Sequence, residues 1–162
     1  MVRLVVILFI IVTSKLSSAD SSCKAHFKQA AKLYEIPNGI LQTVSLIEAR
    51  KHPWTINVKG KGYYFKTKEY AVAYVSKLIK AGHKNIDIGC MQINYKFHGS
   101  NFSSIEEMFE PETNVTYAAR FLSQNFKEFK DWRRAIAVFH SREETLGQVY
   151  LGKFLRDFHT FN

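Results

Sequence analysis

Gly89-Cys90-Met91-Gln92-Ile93-Asn94, set 41 positions after a glutamate in Ile40-Leu41-Gln42-Thr43-Val44-Ser45-Leu46-Ile47-Glu48, is the stretch on which the reading of this chain turns. The earlier segment has helical spacing, with Pro37 and Asn38 as start signals and Pro53 shortly after its end. At 100° per residue Glu48 falls between the directions of Leu41 and Val44, within roughly 40° of either, so its carboxyl group faces inward. A carboxyl held among apolar neighbours resists ionisation, and the negative pole of the helix raises its pKa further. Still protonated near neutral pH, it can donate a proton to a leaving-group oxygen. The position also fits a surface glutamate on a frayed last turn, and spacing alone leaves the two readings open.

Working outward, 46% apolar and 14% aromatic residues in 162 positions suffice for one full-sized core, so one domain is expected. The first segment differs in kind. Met1-Val2-Arg3 carries a positive charge, Leu4 to Val12 is apolar throughout, and Ser17-Ser18-Ala19 offers small residues for cleavage. Residues 1–19 are therefore expected to be a cleaved export signal, with a mature domain over 20–162 that is periplasmic or associated with the cell wall. The residues before Cys23 lack the pattern of a lipoprotein site. Two cysteines in an exported chain suggest a Cys23–Cys90 disulfide, tying the N-terminal helix to the Gly89 motif. No Cys or His pair has zinc-ligand spacing, and neither a metal nor a cofactor is expected.

The net charge is +9; without Arg3 and Lys15, 21 basic residues stand against 14 acidic ones, a balance of +7. Such a surface favours an anionic partner, and for an exported protein the cell wall, with its peptide carboxylates, fits better than nucleic acid or anionic lipid, while a plain solvated basic surface accounts equally well for many of these lysines. Absence of a reading motif opposes nucleic-acid binding.

Helical patterning dominates the rest. Helices are expected over Ala25 to Tyr34 and Ile40 to Glu48, from a Ser103–Glu106 capping box, and along the stripe Val115, Ala118, Ala119, Leu122 and Phe126. Trp132, Ala135, Ile136 and Phe139 mark another, capped by Asp131, and Tyr150, Phe154 and Phe158 a last one. These stripes read as core. Trp54 to Phe65 turns around Gly60 and Gly62 as a hairpin, followed by a helix from Lys68 to Ala81 that stops at Gly82. Trp54, Tyr63 and Tyr64 fit either stacking on sugar rings or a small satellite core, while Lys59, Lys61 and Lys66 attract negative charge.

Glu48, the Gly89–Asn94 motif, Asn114 opening the Val115 helix, and Ala135-Ile136-Ala137-Val138-Phe139-His140-Ser141 occur in the order of the motifs of the soluble lytic transglycosylase family. Nearly the whole mature chain resembles that family, and most closely its small exported members that accompany secretion, conjugation or flagellar machines. The resemblance implies a mainly α, goose-type lysozyme-like domain with a small β-hairpin insertion. It implies cleavage of the β-1,4 bond between N-acetylmuramic acid and N-acetylglucosamine in peptidoglycan strands, with 1,6-anhydro ring formation; a monomer is expected. Glu48 matches the single catalytic acid and base. Met91, Gln92 and Asn94 match substrate-binding positions, and Phe139 and His140 match the family's Tyr-Asn pair.

Two departures bear on rate. Ala49 stands where the family commonly has serine, and Phe139 where a tyrosine often hydrogen-bonds the catalytic carboxylate. A hydrolytic muramidase is an alternative, with Asp87 as base to a water unless it caps the turn before Gly89. A non-catalytic wall-binding module is the other. Asn101-Phe102-Ser103 and Asn114-Val115-Thr116 match the N-glycosylation pattern and are read as chance.

Overall fold

The computed structural model describes residues 22–159; the expected export signal lies outside them. Within them are helices α1 (Cys23–Leu33), α2 (Ile40–Ala49), α3 (Lys68–Lys80), α4 (Tyr95–His98), α5 (Ile105–Met108), α6 (Pro111–Phe129), α7 (Trp132–His140) and α8 (Glu144–Phe158). A small antiparallel sheet, β1 (Thr55–Val58), β2 (Lys61–Tyr64), β3 (Ile86–Ile88) and β4 (Ile93–Asn94), has the order β2-β1-β3-β4. The expected mainly helical, lysozyme-like class is the one found.

The long α6, about 28 Å at 1.5 Å per residue, is the axis of the core. Its buried Val115, Ala118, Ala119 and Leu122 are the expected stripe, and α1 and α7 pack against it. α8 closes over α7 and α2, burying Tyr150, Leu151 and Phe154. Phe126, at the edge of the stripe, stacks on Trp132 with centroids 4.3 Å apart. Asp131 caps α7 by accepting from the Arg133 N–H at 2.7 Å, and Gly82 stops α3 at φ +86°.

Four local expectations need correction. The residue capping α2 is Gly39, at φ 85°, rather than Asn38; its carbonyl accepts from Thr43 Oγ1 at 2.8 Å. The box before α5 lies one residue later: Ser104 caps the helix and accepts from the Glu107 N–H, while the Glu107 carboxylate accepts from Ser103 N–H and Oγ. α6 begins at Pro111, the favoured first helical position for proline, which puts Asn114 inside its first turn rather than at its start. The hairpin is real, with Lys59 (φ 52°) and Gly60 (φ 80°) forming a two-residue turn of the kind that matches strand twist, but it belongs to a four-stranded sheet. β3 and β4, three and two residues long, are too short to show alternation.

Cys23 and Cys90 are bonded, both almost wholly buried, with Cα atoms 5.7 Å apart and 67 positions between them in sequence. Closing so long a loop removes entropy from the unfolded chain equivalent to about 4 kcal/mol in the chain-entropy model. Trp54 and Tyr63 pack half-buried against the core, as the satellite-core reading has it; Tyr64, at the hairpin's edge, stays 54% exposed.

Candidate active site

Glu48 is the penultimate residue of α2, just before an abrupt reversal. Arg50 and Lys51 both adopt positive φ (50° and 60°), and their N–H groups close on Leu46 O and Ser45 O at 3.1 Å. Non-glycine residues in that region cost on the order of 1 kcal/mol or more each, and here they turn the chain away toward β1 so that Glu48 meets the sheet.

Opposite it, the Gly89–Asn94 segment is fixed from behind. Asn114, fully buried, accepts from the Met91 N–H at 2.8 Å and donates to Ile88 O at 2.9 Å and Met108 O at 2.8 Å. Gly89 stands at φ +82° directly over that amide; a β-carbon there would lie 2.6 Å from Asn114 Nδ2, so both conformation and space require glycine. Ser45 on α2 donates to Cys90 O at 2.8 Å, and the disulfide adds a covalent tie to α1. Gln92, at φ 48°, is held by donating from Nε2 to Thr55 O and Gly89 O.

Between the two lies a cleft of about 290 Å³. Glu48, Gln92, Asn94, Phe139 and His140, five of the six residues expected at the site, line it. Met91 does not. Its side chain is fully buried in the core, because the chain alternates at this turn and Gln92 takes the cleft-facing position; only the Met91 backbone serves the motif, through Asn114. Asn57, Ile93, Phe97, His98 and Phe121 also line the cleft and carried no sequence signal beyond their apolar or polar type.

The electrostatics centre on Glu48, whose side chain is 16% exposed. Burial raises its pKa to about 7; the Tyr150 hydroxyl opposes the rise, the Asp87 carboxylate adds to it, and Lys153 lowers it. Burial, rather than the helix pole, is the main cause. Tyr150 was expected as core, and it is buried; its hydroxyl is aimed at Glu48 without reaching full hydrogen-bond geometry and has no other partner among the described residues. A buried tyrosine in a stripe otherwise finished by phenylalanines was the signal available, since its hydroxyl needs a destination.

His140 Nδ1 lies 3.9 Å from Glu48 Oε1, and its ring stacks on Tyr150 with centroids 4.5 Å apart and planes 3° from parallel. Partial burial and then Lys153 lower its pKa, so at neutral pH it is an uncharged neighbour rather than an ion-pair partner. Phe139 is half-buried against Phe121, with centroids 5.6 Å apart, and presents an apolar wall to the cleft. Asp87 sits in β3 opposite Asn94 and accepts from Asn94 Nδ2 at 2.7 Å, so it is a strand residue rather than a turn cap. Burial raises its pKa too.

Near neutral pH this cleft holds a carboxyl group able to give and to retrieve a proton, beside a hydroxyl that favours its ionised form. A family model described as the transglycosylase SLT domain matches residues 25–150. The chain belongs to that family. No similar curated protein and no similar solved structure was found. An SLT domain is of the lytic transglycosylase type and acts on peptidoglycan, which places the domain's work outside the cytoplasm. Among the described residues no helix is long and apolar enough to cross a membrane.

Proposed function

We propose that this SLT domain cleaves the β-1,4 bond between N-acetylmuramic acid and N-acetylglucosamine, with Glu48 as its one acid and base. Glu48 protonates the glycosidic oxygen as the bond to the muramoyl C1 breaks. The resulting carboxylate takes the proton from the muramoyl 6-hydroxyl, whose oxygen closes on C1 to give the 1,6-anhydro ring and returns Glu48 to its acid form. Because the nucleophile belongs to the sugar, a second catalytic carboxylate is not required, unlike in the paired-carboxylate glycosidases. The observation that carries this reading is the position of Glu48 in the cleft with its pKa near 7, matched to a proton that must leave and return. Gln92, Asn94, Phe139 and His140 are the sugar-contacting residues. The Tyr150 hydroxyl, turned toward Glu48, stands in for the one that Phe139 lacks once it closes to hydrogen-bond distance, which weighs against an inactive wall-binding module.

One observation favours a second reading. Asp87 lines the same cleft as Glu48, so a water activated by Asp87 would turn the reaction into hydrolysis. Mass spectrometry of products from purified peptidoglycan separates the two: anhydro ends support transglycosylation, and reducing ends, heavier by one water, support hydrolysis. The likeness to small exported members of the family supports a role in local wall opening around a secretion, conjugation or flagellar apparatus.

A further inference from the structure

A second depression, of about 410 Å³, opens at the end of the sheet beside the cleft. Lys59 at the hairpin tip, His83, Lys84 and Asn85 in the α3–β3 connection, and Lys96 in α4 line it. All five are exposed, and no carboxylate lies within 4.0 Å of Lys59, Lys84 or Lys96 among the described residues. Three lysines from three separate elements thus line one pocket without a carboxylate neighbour, the Lys96 ammonium lying over the Phe97 ring at 5.3 Å from its centroid. Lys59 also holds a positive φ of 52° in a turn where asparagine is the favoured residue, so a charge stands where the backbone gains nothing from it.

The pocket is tied to the cleft. Asn94, in the cleft wall, donates from Nδ2 to Asn85 Oδ1 at 2.7 Å, and Asn85 lines the basic pocket. Asn85 lies two positions before Asp87, just ahead of β3, and Lys59 two positions after Asn57, just past the end of β1, and two positions span at most about 7 Å. A sugar seated in the cleft therefore has the basic pocket within reach of a short extended side branch, since two to three residues span about 7–11 Å.

We infer that this pocket is a secondary binding site for carboxylate groups of the peptide stem carried by the muramoyl sugar, selecting peptide-bearing strands over bare glycan. The inference rests on the muramoyl-cleaving reading above. An isolated exposed ammonium–carboxylate pair contributes about twofold in binding, so three acting on one peptide are worth about tenfold together.

The test uses the protein with Lys59→Asn, Lys84→Gln and Lys96→Gln combined, all exposed positions whose replacement leaves the core untouched. Cleavage is followed on glycan strands with their peptides and on strands stripped of peptide by an amidase. The ratio of kcat/KM between the two substrates should fall about tenfold in the triple variant, carried by KM. An unchanged ratio overturns the inference. Should the parent protein cleave neither substrate, the muramoyl-cleaving reading has failed. The pocket is then judged by titrating a muramic-acid disaccharide bearing its peptide while following the backbone amide signals of Lys59, Lys84 and Lys96. Saturable shifts that the triple variant loses, and that inorganic phosphate at equal ionic strength does not reproduce, support it. Absent shifts, or equal ones with phosphate, refute a carboxylate-specific site.

Discussion

The wall of the cleft and the wall of the basic pocket beside it are built on opposite terms. Behind the Gly89–Asn94 motif and Glu48, four backbone polar groups are held by side chains, three by Asn114 and a fourth by Ser45, and a disulfide locks the rear. At the sheet's far end, the hairpin tip and the α3–β3 connection expose unpaired lysines and bury little. The contrast teaches where each wall's sequence is constrained: the first by geometry, because a proton must travel a fixed path, and the second by charge, because a flexible anion need only be attracted.

Asn114→Ala would break the first wall most severely. It strands the Met91 N–H and two carbonyls in a dry interior, and a loss of about 3–5 kcal/mol is expected in urea unfolding, with activity abolished. Reducing the Cys23–Cys90 bond follows, lowering stability by about 3–4 kcal/mol and loosening the Gly89–Asn94 amides in hydrogen exchange. A pair of free thiols in protein isolated from an oxidising compartment would remove that tie.

Glu48→Gln should change stability in the other direction. The folded state keeps the Glu48 proton to about pH 7 while the unfolded chain releases it near 4.5, so the wild type loses stability as pH rises through that window and does not regain it above. The window corresponds to about 3 kcal/mol at most, or about 2 allowing for the partly exposed edge of the carboxyl. The variant should therefore be more stable by about 2 kcal/mol at pH 8 and equal to wild type at pH 4. Equal stability at both would mean that Glu48 ionises freely.

Tyr150→Phe is a smaller perturbation. It removes the hydroxyl that favours the Glu48 carboxylate, so the basic limb of the kcat/KM profile should move to higher pH while turnover falls. Phe139→Tyr sharpens the assignment: a cleft-facing ring accepts the added hydroxyl with under about 1 kcal/mol of cost, whereas a ring turned wholly into the core would lose about 1–3 kcal/mol. Smallest is Lys59→Asn in the second wall, which eases the hairpin turn and should stabilise by about 0.5–1 kcal/mol.

How much of this was legible follows the same division. Glu48 could be placed on the buried side by counting turns, and the stripes of α6, α7 and α8 by periodicity, because helical spacing repeats over many residues. The cysteine pair needed only chemistry. β3 and β4 were invisible because they exist through pairing with β1 and with each other, not through local pattern. Met91 was misplaced because one residue of register decides which of two neighbours faces the cleft. Tyr150 read as core because it is core; only its hydroxyl's destination, set by α8 packing on α2, makes it part of the site.

The central claim is that one buried carboxyl group carries the proton in both directions, and cleavage of purified peptidoglycan by folded Glu48→Gln tests it most directly. The amide is nearly isosteric but cannot exchange that proton. Anhydro-ended muropeptides are expected from the wild type and none from the variant at equal or higher melting temperature. Cleavage by the folded variant within about tenfold of wild type would contradict it, placing the acid elsewhere.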